Sequence, residues 1–450
     1  MTSRNVSFLA LSALFLSFLA SERATADSAV WAAPFGGSGL WTDPTNWNPE
    51  TVPNGPNDVA TFPEFVAIPS AEIRSPIELN SIIFDSGSSA LLNIEITDLL
   101  TISGVGIVNN SGLSKELRVL SFPPGELDFT DDANAGDINY FVDGGSIRLF
   151  DNSSAGSALF IVESNGVGQQ TLLEFNDNSD GGTAVVNLSL YQFGTQLPSI
   201  LSIYNHNAPG VRIGSLIGNG QVLLGAADGP ATGRRLTVGS NNLDAEFQGA
   251  IEDAGKGGSL KKVGSGRLVL LGASDYSGPT TVSAGKLIAA NKRGSATGSG
   301  SVNVEGGARL GGPGGIAGSV TLGSAGGVGA FLQPNIYHGK PTTLTMRGSL
   351  TFNSGSGYSS QLYLAGPTAD QVIANGVTIN TGSSFSFPKA NQEGVSLGSV
   401  FMLIRNASPS PIAGQFDNLP DGGIFIAGSN HFQANYEGGD GNDLTVTIVP

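Results

Sequence analysis

The apolar residues of this chain occur in short runs that alternate with polar residues and are separated by corners rich in Gly, Asn and Asp. In a β-strand, alternate side chains point to opposite faces, so each run supplies one or two side chains to a core. Glycine permits the positive φ angles that tight corners need, and the chain has 65 glycines in 450 residues. No stretch has the sustained apolar spacing of an amphipathic helix. The sequence therefore predicts an all-β fold.

Some of these strand-and-corner units recur. Residues 149–162 resemble residues 174–188, with Ala158 and Ala184 in equivalent positions about 26 residues apart. A step of about 18 residues, from Val304 to Leu322, has the length of one coil of a three-faced β-solenoid. One coil cannot bury its own apolar face, whereas stacked coils share one core and pair their backbone groups. The repeats predict a β-solenoid whose exposed ends need caps.

Composition limits the possible partners. The formal net charge is −16, with 37 acidic residues against 21 Lys and Arg, which disfavours nucleic acid and anionic lipid surfaces and favours divalent cations. There is no Cys, so the fold has no disulfides and depends on hydrogen bonds and packing. We expect no membrane span beyond Ala26, because no later apolar run is long enough.

The chain divides into an export signal and three regions. Residues 1–26 begin with a positive charge at Arg4, continue with an apolar stretch and end with a small-residue site at Ala26, which predicts a cleaved signal peptide. An N-terminal membrane anchor is the alternative, but the apolar stretch is shorter than the roughly 20 residues that a spanning helix needs. We expect an N-terminal β region with a Trp-rich cap at 27–115, a β-helix at 116–335, and a C-terminal β region with longer, more regular strands at 336–450.

A segment at 258–291 resembles the autotransporter-associated β-strand repeat. The family's pattern of G-x-L, K-x-G-x-G-x-L-x-L-x-G, Y-x-G and T-x-V-x-x-G-x-L falls on Gly258, Leu260, Lys262, Gly264, Gly266, Leu268, Leu270, Gly272, Tyr276, Gly278, Thr280, Val282, Gly285 and Leu287. The resemblance implies a right-handed parallel β-helix in the outward-facing passenger part of a surface or secreted protein, and it implies no active site. An autotransporter also has a C-terminal membrane β-barrel, which we do not expect in this chain.

The strongest candidate for a metal site is the segment 438–444, GGDGNDL, which fits one copy of the calcium-binding β-roll pattern. Asp440, Asn442 and Asp443 would supply the oxygen ligands for calcium. Such sites are built between successive copies, so a tight turn before the last strand is the alternative. A second acidic cluster, which suits either calcium or a solvated loop, contains Asp128, Asp131, Asp132, Asn134 and Asp137.

All three Trp residues, Trp31, Trp41 and Trp47, lie near the N-terminus among Pro, Asn and Gly. Exposed aromatic rings are a common surface for sugars, so these residues are a candidate glycan-binding site. The alternative is that the three rings plug the first coil of the solenoid.

Catalysis has little support in the sequence. His206, His338 and His431 are far apart, and no nucleophile elbow, zinc-protease, P-loop or dinucleotide motif occurs in a fitting context. A β-helix polysaccharide lyase or glycosidase is the enzymatic alternative, with its basic group among Arg234, Arg235, Lys261, Lys262 and Arg267.

We therefore expect an exported, non-catalytic structural or adhesive protein that needs no cofactor. Its location would be extracellular or on the cell surface, with the periplasm as the alternative. Its partners would be cell-surface or matrix components, with glycans as one class.

Overall fold

The fold is nearly all β, with parallel sheets that form a solenoid of about 12 turns. The structure is a computed structural model that describes residues 27–33, 39–64, 70–88, 93–164, 170–190, 197–324, 329–335, 340–363, 366, 368–387, 396–427 and 429–450. The predicted signal peptide, residues 1–26, lies outside the described residues. Among the described residues, the helical structure is one 3-10 turn, Pro44–Asn46. No described helix has the length and apolar character needed to span a membrane.

The first twenty strands form the N-terminal coils. In chain order they are β1 (Ala29–Trp31), β2 (Trp47–Asn48), β3 (Gly55–Phe62), β4 (Ser70–Ile73), β5 (Ile77–Phe84), β6 (Asn93–Ile96), β7 (Leu99–Asn109), β8 (Glu116–Val119), β9 (Glu126–Phe129), β10 (Asn139–Asp143), β11 (Ser146–Leu149), β12 (Leu159–Ser164), β13 (Thr171–Phe175), β14 (Gly181–Leu190), β15 (Ser199–Ser202), β16 (Arg212–Gly218), β17 (Gln221–Leu223), β18 (Arg235–Val238), β19 (Ala245–Phe247) and β20 (Ala250–Glu252).

The remaining strands are β21 (Ser259–Lys262), β22 (Arg267–Leu270), β23 (Thr280–Val282), β24 (Lys286–Ala289), β25 (Val302–Val304), β26 (Arg309–Gly311), β27 (Gly315–Ile316), β28 (Val320–Leu322), β29 (Ala330–Leu332), β30 (Thr343–Met346), β31 (Leu350–Phe352), β32 (Ser356–Ser359), β33 (Leu362–Tyr363), β34 (Thr368–Ala369), β35 (Gln371–Ala374), β36 (Val377–Ile379), β37 (Ser384–Ser386), β38 (Val400–Asn406), β39 (Ala413–Gly414), β40 (Ile424–Ala427), β41 (Asn430–Gly438) and β42 (Asp443–Val449).

The N-terminal coils alternate between two parallel sheets. We call the eleven-stranded sheet that runs from β2 and β1 through the odd-numbered strands to β17 and β20 sheet A. The opposite sheet, sheet B, starts with the even-numbered strands β4 to β16. After β16 sheet B divides, because β16 pairs with both β18 and β19, and each begins its own column of parallel strands. The coils therefore have two faces at first and more faces later.

The spacing of the coils agrees with the sequence repeats. Val304 pairs in parallel register with Leu322, which confirms the shorter repeat step. Phe160 pairs with Val186, which confirms the longer step that Ala158 and Ala184 indicated. Parallel pairing also continues from β6 to β8 across residue 115 and from β29 to β32 across residue 335. The division into regions at those residues stays a prediction.

The core is a continuous apolar column inside the coils. In β12, for example, Phe160 and Val162 are fully buried, while Leu159 and Ile161, which alternate with them, are half-buried on the outer face. Burying a side chain of this size stabilises the fold by about 1.5–3 kcal/mol, so the stability grows with each added coil. The corners are as close-packed as the core. A Cβ on Gly249 would lie 1.8 Å from the carbonyl oxygen of Gly220 in the coil below.

Antiparallel strands close both ends of the solenoid. At the N-terminus, β2 pairs antiparallel with β1, which gives the predicted cap. At the C-terminus, β38, β42, β41 and β40 form an antiparallel series. The longer strands expected throughout 336–450 are confined to this series, because the column of β28, β31 and β36 continues the short coils as far as β39. β2 and β40 become the outermost strands of their sheets and are only two and four residues long, and short edge strands limit pairing with another chain.

Candidate functional site

The segment that resembles the repeat family forms two successive coils. Strands β21 and β22 belong to one coil, and β23 and β24 lie directly on them, with Leu260 paired to Thr280 and Leu268 to Leu287. The apolar positions of the family pattern point inward and are buried, namely Leu260, Leu268, Leu270, Tyr276, Val282 and Leu287. The repeat pattern is therefore a description of the core and corners of a coil.

The lysine of the pattern is buried in a corner. Lys262 is 1% exposed, and its Nζ donates hydrogen bonds to the carbonyl oxygens of Val263 at 2.6 Å and Gly264 at 3.0 Å. A third and longer bond, of 3.4 Å, reaches Ala284 in the next coil. Burial lowers the pKa of Lys262 to about 8, against a smaller opposing effect of Asp244. All three ammonium protons are used to hold a corner, so this lysine is not available as the basic group of a lyase.

A carboxylate that the sequence reasoning missed joins the same coils. Asp253, at the end of sheet A, is fully buried and accepts hydrogen bonds from the backbone N–H groups of Gly255, Gly258 and Ser277. The Ser277 hydroxyl donates a fourth bond, at 2.7 Å. Burial by itself would raise the pKa of Asp253, but these hydrogen bonds bring the pKa below its ordinary value. The only sequence signal is an Asp directly before a Gly-rich corner, which is common in turns.

The three Trp side chains form one buried cluster at the N-terminal end. Trp31, Trp41 and Trp47 are each at most 1% exposed. The ring centroids of Trp31 and Trp47 are 4.9 Å apart, those of Trp41 and Trp47 are 4.7 Å apart, and all three rings pack on Phe62. The indole N–H groups of Trp41 and Trp47 donate to the carbonyl oxygens of Pro53 and Trp41. The rings are packed against one another, so they do not offer the exposed surface that the glycan hypothesis requires.

The segment 438–444 is a tight turn between β41 and β42, in which the N–H of Gly441 donates to the carbonyl oxygen of Gly438. Asp443 is buried and accepts a 2.8 Å hydrogen bond from the N–H of Asn406, and Asn442 donates to the carbonyl oxygen of Ser408. Burial raises the pKa of Asp443. Asp440 is exposed. The side chains of Asn442 and Asp443 thus tie the turn to the loop after β38, and calcium binding by these three residues stays a prediction.

The acidic cluster around residue 131 is part of a stack of similar corners. Asp131, Asp151 and Asp177 all have φ near 50°, and each occupies the same place in successive coils. Asp151 and Asp177 each accept a hydrogen bond from the backbone N–H of the Asp one coil earlier, at 3.1 and 3.2 Å. Asp128 instead forms an ion pair with Arg148, at 2.8 Å. Among the described residues no group of three or more His, Asp or Glu side chains could hold a metal ion.

The basic residues proposed for a lyase are already engaged or dispersed. Arg267 forms ion pairs with Asp244 at 3.2 Å and Glu246 at 3.7 Å, and Arg234 donates to the carbonyl oxygens of His206 and Thr232. Lys261 lies on the outer face of β21, and Arg235 is exposed at the start of β18.

The histidines described also contact backbone carbonyl oxygens. Both ring nitrogens of His206 do so, with Nε2 at 2.7 Å from Ser179, and Nδ1 of His431 lies 2.8 Å from Pro450. His338 lies outside the described residues. The described histidines therefore take part in the backbone packing of corners and strand ends.

Asp370 is a buried acid beside the C-terminal coils, with 1% of its surface exposed. Burial raises its pKa to about 6, although the backbone N–H groups of Gln361 and Thr342 both donate to it. The hydroxyl of Tyr363 lies 3.4 Å away. This carboxylate joins two segments of backbone, those that contain Thr342 and Gln361.

Comparison with known families matches the chain to one family model, the passenger-associated transport repeat, over residues 260–289. This match covers the two coils described above and confirms the resemblance seen at 258–291. No curated protein matches the chain. The matched repeat, together with the β-solenoid that contains it, fits a passenger-type β-helix repeat protein of the autotransporter class.

Proposed function

We propose that this chain is an exported structural or adhesive protein of the cell surface, without catalytic activity. The observation that carries the proposal is the use of the buried polar groups in the matched repeat. Lys262 donates hydrogen bonds to backbone carbonyl oxygens of the corners, and Asp253 accepts hydrogen bonds from backbone N–H groups there. These bonds stabilise the stacking of coils. A rigid rod of stacked coils offers a long outer surface for contact, and the passenger repeat is consistent with export.

The proposal is tested by deleting the gene and restoring it in trans. We expect loss of attachment to surfaces, or of the integrity of the outer layer, in the deletion strain and recovery with the full chain.

As a separate test, the purified chain is incubated with a broad panel of acidic and neutral polysaccharides with and without calcium. We expect no release of unsaturated or reducing sugars. Normal attachment in the deletion strain would contradict an adhesive role, and sugar release would establish the lyase or glycosidase alternative.

Glycan binding by the tryptophan rings is not favoured, because their faces are buried against one another and against Phe62. Any glycan contact would have to use the outer surface of the coils. Binding to a glycan array that persists when Trp41 or Trp47 is replaced would be consistent with this view.

A further inference from the structure

One length of the rod is positively charged although the chain as a whole is acidic. Residues 254–369 contain ten Lys and Arg but two acids, a net charge of +8, whereas residues 27–253 contain seven Lys and Arg and 27 acids, a net charge of −20. Because the coils stack in chain order, the positive segment forms one continuous part of the rod. We call residues 254–369 the basic zone. The whole-chain charge of −16 does not show this zone, because acids of the other coils dominate it.

Two neighbouring depressions lie beside the corner that follows β24. The first has a volume of about 300 Å³ and is lined by Lys292, Arg293 and Arg347, among other residues. The second, of about 350 Å³, is lined by the same Lys292 and Arg293 and extends to Gln248. Because the two depressions share Lys292 and Arg293, they form one groove with cationic side chains along it. We call the two depressions together the cationic groove.

The cationic groove runs along the axis of the rod and crosses five successive coils. At one end, Gln248, Leu271 and Ala290 directly follow the paired strands β19, β22 and β24. At the other end, Gly315 in the next coil pairs with Thr345 in the coil after it. Four steps between stacked coils, of about 4.8 Å each, span about 19 Å. The groove is therefore long enough for a linear ligand that lies parallel to the rod.

A buried side chain fixes the corner that carries two of the cations. Asn291 Nδ2 donates to the carbonyl oxygen of Arg293 at 3.0 Å, and Asn291 Oδ1 accepts from the N–H of Gly315 at 2.8 Å. A Cβ on Gly314 would lie 2.3 Å from this Oδ1, so the close approach of the next coil requires glycine at this position. The backbone under Lys292 and Arg293 is thus held before any ligand binds, which reduces the entropy lost on binding.

The cationic side chains of the groove are exposed and have no anionic partner. Within the described residues, the side chains of Lys292, Arg293 and Arg347 form no ion pair and no hydrogen bond. No Asp or Glu of the described part of the chain lines either depression. Arg267 in the same zone, by contrast, pairs with acids of the coil below. The positive charge of the groove is therefore available to an external anion.

We propose that the cationic groove binds a short stretch of an anionic polysaccharide that lies along the rod, with its acidic groups on Lys292, Arg293 and Arg347. Lys and Arg bind oxyanions through charge-assisted hydrogen bonds, and Arg can form two parallel bonds to one carboxylate. This inference rests on the proposed adhesive function and names the class of partner that the outer surface of the coils would hold. It assigns glycan contact to a different part of the rod from the buried Trp rings.

A sugar chain fits this groove better than other polyanions do. Leu271, Ala273 and Pro313 also line the depressions, and their apolar surface suits the C–H faces of sugar rings. A DNA duplex or a flat anionic membrane would cover neighbouring coils as well, and the acidic coils before residue 254 would repel both. The same repulsion limits the length of the bound stretch. We expect about four sugar residues to bind, one for each step between coils.

The first test measures the binding of sized alginate and heparin oligosaccharides to the purified chain by calorimetry at low ionic strength. We expect the affinity to increase from the disaccharide to the tetrasaccharide and to change little beyond it, whereas neutral dextran of equal length should not bind. Alginate carries carboxylates and heparin also carries sulfates, so their relative affinities identify the preferred anion. Added salt should weaken binding, because it screens exposed charges. Absence of binding to both oligosaccharides would overturn the proposal.

The second test removes the positive charges of the groove. The groove variant combines Lys292→Gln, Arg293→Gln and Arg347→Gln. The matched control combines Lys256→Gln, Lys261→Gln and Lys286→Gln, which removes the same charge from the basic zone outside both depressions. All six side chains are exposed or half-buried, and circular dichroism checks that both variants keep the β fold.

We expect the groove variant to bind the tetrasaccharide at least about tenfold more weakly than the wild type, because three direct charge contacts are lost. The control should change the affinity by less than about twofold, since it alters only the longer-range field. Equal weakening in both variants would show that total charge, and not the groove, determines binding, and would overturn the proposal.

Two further comparisons separate this proposal from its alternatives. Binding of the chain to phosphatidylglycerol vesicles, without binding to either oligosaccharide, would identify a lipid surface as the partner and overturn the proposal. Attachment that is lost in the deletion strain and restored by the groove variant as fully as by the wild type would overturn the role of the groove and leave the adhesive function intact. Normal attachment in the deletion strain would instead contradict the adhesive function, and calorimetry would still decide whether the groove binds anionic sugars.

Discussion

At the scale of single residues, the buried polar side chains of this solenoid stabilise corners. Corners carry backbone N–H and C=O groups that cannot join the parallel ladders, and each such group needs a partner when buried. Asp253 accepts from three N–H groups and a hydroxyl, and Lys262 donates to carbonyl oxygens in two coils. The hydroxyl oxygens of Tyr276 and Thr280 lie 2.6 Å apart, and burial raises the pKa of Tyr276. Lys262, Tyr276 and Thr280 are positions of the repeat pattern, and their contacts explain why the pattern contains polar residues.

Replacing Asp253 with Asn should destabilise the matched coils by about 3 kcal/mol, because the amide nitrogen would face backbone donors and leave them unsatisfied. The pKa of Asp253 is lowered in the fold, so its contribution is present above the unfolded value of 3.8 and is lost as the pH falls through the lower folded value. Urea denaturation at neutral pH measures the change. Asp275→Asn, at an exposed position in the next coil, is the matched control and should have little effect. Equal effects of the two substitutions would refute this role.

Lys262 should make the stability depend on pH in the alkaline range. Its pKa is lowered from 10.5 to about 8 by burial, so between these values the unfolded chain binds a proton that the folded chain does not. The free energy of unfolding then rises with pH from about 8 to 10.5. Denaturation at several pH values should show this rise in the wild type and a smaller rise in Lys262→Met. Lys261→Met, on the outer face of the same strand, should keep it, and an identical profile for all three proteins would contradict the assignment.

The sequence marks Lys262 as a position of the repeat pattern and as a candidate basic group, but it predicts the corner role of neither Lys262 nor Asp253. Lys262 falls on a position of the repeat pattern, whereas Asp253 lies outside it and looks like any Asp before a Gly-rich turn. Which donors converge on a carboxylate depends on the coil above, here on Ser277, which lies one coil further along the chain. The alignment of each coil on the next determines which distant residues become partners, and the local sequence does not show this alignment.

At the scale of elements, the N-terminal cap shows why the sequence leaves open whether the three Trp rings are exposed or buried. Trp, Pro, Asn and Gly occur together both in exposed sugar-binding surfaces and in plugs. The distinction comes from the pairing of β2 with β1, which places Trp47 opposite Trp31 and brings both indoles over Phe62. This packing of the rings cannot be predicted from the sequence, because the sequence does not show that β2 pairs with β1. The cap ends sheet A with the two-residue strand β2, and such a short edge strand offers little backbone for pairing with another chain.

Trp41→Ala should destabilise the N-terminal coils by about 3–5 kcal/mol, since it removes a fully buried indole and leaves a cavity. The loss should be local, because each coil contacts only its neighbours. Hydrogen exchange should show faster exchange in β1 to β5 and unchanged exchange in the matched repeat coils. Val30→Ala, at an outward and partly exposed position of β1, is the control and should leave exchange nearly unchanged. Uniform loss of protection along the whole chain would show that the cap is not a separate element.

At the scale of the whole molecule, the sequence predicted the stacking of coils but not their shapes. The alternation of apolar residues and the two repeat steps can be read from local sequence. The two repeat steps agree with the register of the parallel strand pairs. The division of sheet B after β16 and the end of sheet A at β20 were not predicted, because they depend on how each corner turns. The coil step from Val302 to Val320 is much shorter than the next one, from Val320 to Leu350, and a sequence alone does not show where the extra residues go.

The stacked arrangement makes a specific prediction about deletions. Removing residues 303–320 joins Val302 to Thr321, and because Val302 and Val320 are register partners, the strand continues with its inward and outward positions unchanged. We expect a folded rod that is one coil, or about 4.8 Å, shorter by small-angle scattering, with a similar circular dichroism spectrum and slightly lower stability. Removing residues 303–311 is the matched control. It excises half a coil, so the chain cannot return to the next face, and we expect loss of cooperative unfolding there. If both deletions were equally disruptive, the coils would not be interchangeable units, and the stability of this protein would depend on contacts between distant coils.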